Sequence, residues 1–302
     1  MGFSSQDDLI NEVTTNGKFQ YDVRFKTIST AQVAAFWTNL GVFAGSEGAA
    51  STYAGTSLTF VATDDTWSDG AWQHGGDVST DTKHFLYAGA NIVAAAGAPW
   101  FLMAVDQVGY VPITGTDVTG TGSRTITMTP IAATSAKVDR YPNGVGLRAF
   151  FSTEVAPTAG GPNLTAFGYK NVAGTSKTCP VTVGFAATPV IGAVPHSGGA
   201  ATRYAPFIPL AAADTGISDL ESFTLSGGTA YTGSGQLVLH LVKPLWGIPL
   251  PASGMHSVAD FVNALPNMAK IPDGACIQWM LMNTGATTAN APLMAESAHA
   301  WG

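Results

Sequence analysis

The chain has few charged side chains. Asp, Glu, Lys and Arg together make up 11% of its 302 residues, against about 25% in a typical soluble domain. Because Gly, Ala, Thr and Ser recur throughout, the surface must be polar mainly through hydroxyl groups and the backbone. Few charges need to be desolvated when such a surface is buried, which suits extensive protein–protein contact. Contact with other proteins is therefore the expectation, and an ordinary soluble protein with Thr and Ser on exposed strands is the alternative.

Basic clusters and long apolar segments are also missing. The 13 Lys and Arg residues are scattered and the formal net charge is −7, so no basic stripe is available for nucleic-acid phosphates. No apolar run reaches the ~20 residues that a membrane-spanning helix needs. The first residues, MGFSSQDD, are acidic and lack the apolar segment of a secretory signal. The sequence predicts neither direct nucleic-acid binding nor a membrane anchor.

Cysteine is scarce as well. The two cysteines, Cys179 and Cys276, fit neither a CxxC pair nor a zinc site. Both have apolar or β-branched neighbours, which favours buried free thiols over a disulfide. Free thiols are typical of a protein that folds in a reducing cytoplasm.

Motifs for catalysis are absent from the sequence. It has no GxSxG, HExxH or GxGxxG pattern, and its single DTG, at 214–216, lacks the second carboxylate that an aspartic protease requires. His74, Asp77, Asp81 and His84 share one short segment and are residue types that bind metals. Their spacing matches no metal motif, so a solvated loop is the expectation and an ion site is the alternative. We predict a protein without enzymatic activity and without a cofactor.

From about residue 57 onward, short apolar stretches alternate with clusters of Gly, Thr, Ser, Pro, Asn and Asp, which is typical of strands joined by turns. The longest apolar runs, 236–250 and 275–283, predict strands that are buried on both faces. His240, in the first run, is expected to be buried and hydrogen-bonded to backbone. Residues 258–265 predict a helix between a capping serine and Pro266. The expected fold is mainly β, a sandwich or a jelly-roll or barrel-like arrangement, with a few short helices.

Two pairs of segments resemble each other in the same order. Residues 100–113 align without gaps on 237–250. Residues 140–151 resemble 270–281 in a Pro-(Asn/Asp)-Gly turn that leads into an apolar strand. An internal duplication explains both matches. The alternative is that strand–turn–strand segments converge on similar residues.

The duplication predicts two similar β-domains, 57–185 and 186–302, after an N-terminal helical arm and lead-in at 1–56. Residues 4–13 of the arm are predicted to form an amphipathic helix with a serine N-cap. About ten residues are marginal as an isolated helix, so this helix must dock on the protein's own body or on a neighbour. Two tryptophans in the polar stretch TDDTWSDGAWQHGGD are expected to be exposed. We predict an assembly contact from these two regions, formed by Phe3, Leu9, Ile10, Val13, Trp67 and Trp72.

Five segments together resemble a family of virion structural proteins from tailed bacteriophages. They are FSSQDDLINEVTTNGKF, QHGGDVSTDTKH, YAPFIPLAAADTGI, FVNALPNMAKIPDGACIQWMLM and the terminal AWG. The resemblance extends over nearly the whole chain and carries no catalytic residue. It implies a place in the virion, which is assembled in the cytoplasm of the bacterial host.

The position in the particle is inferred from composition. A β-rich, weakly charged, non-basic protein of this size fits a capsid decoration or cement protein, whereas a common major coat protein would show long helices and more charge. The expected partners are the major capsid protein and copies of the chain itself, as a homo-oligomer such as a trimer. Two alternatives stay open. One is a tail or baseplate protein, and the other is a carbohydrate-binding receptor module built around 67–81.

Overall fold

Glycine, proline and polar turn residues divide the chain into extended segments, and the computed structural model pairs these segments into three antiparallel sheets. The structure describes residues 3–46, 50–66, 70–72, 74–94, 98–118, 120, 122–131, 140–186, 189–197, 205–232, 235–264 and 268–302. The predicted mainly β class is confirmed, and the arrangement is consistent with a β-sandwich.

The described residues form fifteen strands. They are β1 Phe19–Ile28, β2 Trp37–Asn39, β3 Val61–Ala62, β4 Lys83–Ile92, β5 Trp100–Thr114, β6 Arg124–Thr127, β7 Arg148–Val155, β8 Ala159–Asn171, β9 Ser176–Gly184, β10 Ile217–Thr232, β11 Gln236–Leu250, β12 Ser257–Asp260, β13 Lys270–Ile271, β14 Ile277–Asn283 and β15 Ala291–Trp301. The helices are short, namely α1 Gln6–Thr14, α2 Gly115–Val118 and 3₁₀ turns at Leu40–Val42, Pro142–Gly144 and Val262–Ala264. Within the described part of the chain, no helix has the length and apolar character needed to cross a membrane.

The strands are distributed over three sheets. The first sheet has the order β1-β15-β4-β12, with β13 also paired to β4. The second sheet has the order β6-β10-β8-β9. The shared sheet has the order β2-β14-β5-β11-β7, with β3 also paired to β5.

The long apolar runs lie in the shared sheet. Ile277–Asn283 and residues 237–242 are buried on both faces, as predicted, whereas Gly247 and Pro249 in the second half of β11 are exposed. Leu102 and Ile248 belong to a core that includes the inward side chains of the first sheet. Leu239 and Phe151 belong to a second core that includes the inward side chains of the second sheet. A third cluster around Met280 covers other side chains of the same strands. Both cysteines are buried and free, which confirms the expectation for them.

The two long strands of the predicted repeat are neighbours in the shared sheet. β5 and β11 run antiparallel, so that Trp100 faces Leu250 and Ile113 faces Leu237. β14 lies on the other side of β5, and β7 lies on the other side of β11. A local two-fold axis between β5 and β11 therefore relates β5 to β11 and β7 to β14. These are the pairs that resemble each other in sequence.

The first and second sheets correspond in the same way. Their orders match when β4 is matched to β10, β8 to β15 and β6 to β12. β1, the first strand of the chain, then takes the place that β9 has in the second sheet. Each of the three sheets contains strands from both 57–185 and 186–302, so these two segments do not form separate sheets. The duplication itself stays a prediction, which this correspondence supports.

The helix predicted at 258–265 is wrong where the structure describes it. Ser257–Asp260 is strand β12, which pairs with β4, and a 3₁₀ turn follows at Val262–Ala264. The end of the predicted helix lies outside the described residues. Pairing with β4 satisfies the backbone groups of this segment, and such a tertiary contact outweighs a weak local helical preference.

Candidate interaction surface

The N-terminal helix α1 forms as predicted and packs on the first sheet. The N–H of Asp8 donates to Ser5 Oγ at 3.1 Å, which caps the helix. Leu9 is buried among side chains of β4, β15 and the segment after residue 267, with Phe3 and Val13 packed against the same cluster. Ile10 is 56% exposed. Three of the four predicted contact residues in this region are therefore engaged within the chain, and Ile10 faces outward.

The two predicted tryptophan contacts have different outcomes. Trp72 is buried, its backbone N–H donates to Ile277 O at 2.7 Å, and its ring lies 4.8 Å from the ring of Trp279. The expectation that Trp72 is exposed is wrong, because a backbone bridge to β14 draws it into the core. Trp67 lies outside the described residues.

The structure does not bring the four possible metal ligands together. Each engages a different partner: His74 with Ala275 O, Asp77 with the Gly274 N–H, Asp81 with Lys18 and His84 with the Phe3 ring. A cation of the chain already lies in this segment, since Lys83 Nζ donates to His74 O at 2.8 Å and to Gly76 O at 2.7 Å. Among the residues that the structure describes, no group of three His, Cys, Asp or Glu side chains could hold a metal ion.

A buried polar network in the shared sheet was missed by sequence reasoning. Ser152 on β7 lies with its Oγ 2.7 Å from His240 Nε2 on β11, and His240 Nδ1 is 2.9 Å from Gln107 Oε1 on β5. Burial lowers the pKa of His240 to about 3, so the ring is neutral. Because Gln107 Oε1 can only accept, Nδ1 carries the hydrogen and Nε2 accepts from Ser152. The ring is thus satisfied by side chains, and the expectation of backbone partners is wrong.

This network has the order of a nucleophile, a base and an orienting group, but it lacks access to a substrate. Ser152 and His240 are each 0% exposed. The orienting residue is the neutral Gln107, which cannot stabilise an imidazolium as a carboxylate does. The arrangement therefore joins three neighbouring strands through buried hydrogen bonds and is a structural feature. The sequence signal for it is the presence of polar residues, Gln107, Ser152 and His240, inside three otherwise largely apolar strands.

The clearest candidate for a contact surface is the outer face of the first sheet. Phe19, Tyr21 and Phe25 alternate along the edge strand β1 and are 44%, 48% and 50% exposed, and Val258 on β12 is 58% exposed. The strand register places Val258 in the same row across the sheet as Val23, between Tyr21 and Phe25. We call this set, Phe19, Tyr21, Phe25 and Val258, the apolar face.

The corresponding face of the second sheet is different in character. The row that crosses it contains Thr178, Gly168, Ser222 and Thr127. The hydroxyl groups of Thr125 and Thr224 approach each other to 2.9 Å on neighbouring strands of this sheet. The two sheets of matching topology thus differ in their exposed faces. The second is hydroxyl-rich, and the first carries exposed aromatic and apolar side chains around Glu296, whose carboxylate accepts from the Tyr21 hydroxyl and pairs with His256.

No protein-family model matches this chain, and no curated protein does. Among solved structures, the chain is similar to one in the structure of infectious bursal disease virus Gx strain, with a TM-score of 0.19 and 8% sequence identity. The similarity covers 97% of this chain and 86% of that chain. A likeness at this TM-score carries no argument about fold or function.

Proposed function

We propose that this protein is a structural component of a tailed-phage particle, specifically a decoration or cement protein that stabilises the capsid shell through protein–protein contacts. Its partners are the major capsid protein and further copies of the chain. The resemblance of five sequence segments to phage virion proteins and the low content of charged residues support this role. The apolar face is the structural observation on which the contact surface rests.

The energetic argument for this surface is simple. Apolar side chains that are about half exposed still have much of their area in water. Removing a large apolar side chain from water contributes about 1.5–3 kcal/mol when the burial is complete. Clustered exposed apolar groups on a soluble protein mark contact sites more often than isolated ones do. Phe19, Tyr21 and Phe25 lie together along β1 and can therefore support a stable contact with a shell, with Val258 three strands away on the same face.

A matched pair of substitutions tests the proposal. Phe25→Lys places a charge in the apolar face, and Thr178→Lys places the same charge on the corresponding edge strand of the second sheet. Each variant is mixed with capsids that lack the protein, and co-sedimentation measures binding. We expect wild type and Thr178→Lys to bind and Phe25→Lys to lose most of its binding, with thermal unfolding showing that both variants are folded.

Three results would contradict the proposal or its contact surface. Binding to purified tails or baseplates, with none to capsids, would assign the protein to the tail. Binding to neither particle would remove the virion role altogether. Equal binding by Phe25→Lys and Thr178→Lys would show that the apolar face is not the contact surface.

A further inference from the structure

A cavity with cationic walls opens near the local two-fold axis of the shared sheet. Its volume is about 340 Å³. The residues that line it come from three separate stretches of chain: Arg140, Tyr141, Lys243, Pro244, Leu245, Ala269, Lys270 and Pro272. Three of these eight side chains are basic, although the protein as a whole has a formal net charge of −7.

Arg140 is neutralised inside the chain. Its Nε and Nη2 lie 2.7 Å and 2.8 Å from the two oxygens of the Asp106 carboxylate. The N–H of Cys276 donates to the same carboxylate at 2.9 Å, and Arg140 also donates to two backbone carbonyls. The Asp106 carboxylate is therefore already paired with Arg140, and Arg140 serves as a fixed part of the wall.

Lys243 and Lys270 have no such partner. In the part of the chain that the structure describes, no ion pair joins a carboxylate to Lys243, Lys270 or the neighbouring Arg148. Lys243 Nζ donates to Val145 O at 3.2 Å and lies 5.7 Å from the centre of the Tyr141 ring. Burial and then the charge of Arg148 lower the pKa of Lys243, as expected for a cation without a counter-charge.

Comparison of the two sides of the local two-fold axis shows that, among the described residues, these lysines lack the carboxylate that Arg140 has. Asp106 on β5 faces Lys243 on β11 in the register, and the two occupy corresponding places about the axis. Arg140 corresponds to Lys270, since each stands two residues before a Pro-(Asn/Asp)-Gly turn. On one side of the axis, these places hold an acid and a base that pair. On the other side they hold two lysines, which line the cavity instead.

We propose that this cavity binds an oxyanion, a carboxylate or phosphate group, between Lys243 and Lys270. The bound anion neutralises Lys243 and Lys270, as the Asp106 carboxylate neutralises Arg140 on the other side of the axis. Lysine ammonium groups and an oxyanion form charge-assisted hydrogen bonds, which are stronger than neutral ones. The site does not depend on the proposed virion role, because it is argued from the cavity and its charges alone.

Titration of the full chain at low ionic strength tests this assignment. The two probes are inorganic phosphate and a short peptide of glutamate residues, and calorimetry measures the affinity of each. We expect saturable binding of at least one probe by wild type. Lys243→Gln combined with Lys270→Gln should weaken that binding by about tenfold or more, since each lost charged hydrogen bond is costly. The control Lys177→Gln, on the second sheet, should bind as wild type does.

The two probes separate the sources of the anion. Phosphate binding assigns the site to a small free anion, and binding of the peptide alone assigns it to an acidic segment of another protein chain. The proposal is overturned if wild type binds neither probe saturably, or if the double variant binds as tightly as wild type. Lys270 is exposed, so Lys270→Gln alone provides the same test should the double variant fail to fold.

Discussion

Val108 on β5 and Leu245 on β11 are the extra residues of two β-bulges that lie at corresponding places in paired strands. Val108 has no register partner on β11 and lies between the pairs Gly109–Leu241 and Gln107–Val242. Leu245 has no register partner on β5 and lies between the pairs Pro244–Val105 and Trp246–Ala104. The gapless alignment of 100–113 on 237–250 also sets Val108 against Leu245. Bulges are specific features of a fold, so their coincidence supports the predicted duplication.

The local two-fold axis makes a prediction about chain connectivity. β1 corresponds to β9. It is therefore the last strand of the second set, after β10, β11, β12, β14 and β15, although it comes first in the sequence. The Phe3 ring lies against Gly302, so a short linker can join the two ends. We expect a circular permutant that is opened between the exposed Ala212 and Ala213 to fold into the same sheets, because every strand pair is kept. Circular dichroism and a cooperative thermal transition near that of wild type would confirm it, and an aggregated product would contradict it.

The helix α1 allows a matched test of docking. Leu9 is buried against the first sheet and the adjacent Ile10 is exposed. Leu9→Ala should lower the free energy of unfolding by about 2 kcal/mol, the low end for a buried leucine. Ile10→Ala should change it by no more than about 0.5 kcal/mol. Urea unfolding measures both, and equal losses would show that α1 is not held by Leu9.

The buried network makes a prediction about Ser152. Ser152→Ala removes the closer donor to His240 Nε2 and leaves only the Asn39 amide nitrogen, 3.4 Å away, within reach. We expect a loss of about 1–3 kcal/mol in the free energy of unfolding, which is the cost of an unsatisfied buried group. Thr178→Ser on the exposed face of the second sheet serves as the control and should cost less than about 0.5 kcal/mol. A neutral Ser152→Ala would mean that the hydrogen bond does not contribute to stability.

Five buried histidines, His74, His84, His196, His240 and His299, have pKa values lowered by burial, which predicts that stability falls in acid. Burial lowers the pKa of His196 to about 4 and the pKa values of His240 and His299 to about 3. Between these values and 6.5 the unfolded chain binds protons that the folded chain excludes, so the free energy of unfolding decreases as the pH falls below about 6.5. Each histidine contributes a slope of about 1.4 kcal/mol per pH unit. Burial raises the pKa of Glu154 to about 7. Between about pH 7 and 4.5 the folded chain therefore binds a proton at Glu154 that the unfolded chain does not, which cancels the effect of one histidine on the free energy of unfolding.

Urea unfolding between pH 7 and pH 5 measures this slope. His196→Gln should reduce this slope by the contribution of one histidine, because glutamine does not titrate and its amide can still donate to the Pro206 carbonyl that His196 Nε2 contacts. Stability that stays constant or rises toward pH 5 would contradict the prediction.

Much of the fold follows from local patterns in the sequence. Alternating apolar stretches and turn residues predict the strands, Ser5 and the acidic first turn predict α1, and the long apolar runs predict strands buried on both faces. These features depend on the spacing of neighbouring residues, which sets side-chain direction in a helix or a strand. The repeat was readable for the same reason, since matching strands and turns keep their spacing.

Tertiary pairing decided the rest. Residues 257–260 form a strand because β4 offers them backbone partners, and Trp72 is buried because it bridges to β14. Ser152 and His240 are 88 positions apart in the sequence, and only the order of strands brings them together. The sequence alone determined which segments are extended and which side chains share a face. Which faces are covered, and which polar groups meet, depends on long-range register, because a shift of one residue reverses every side chain in a strand.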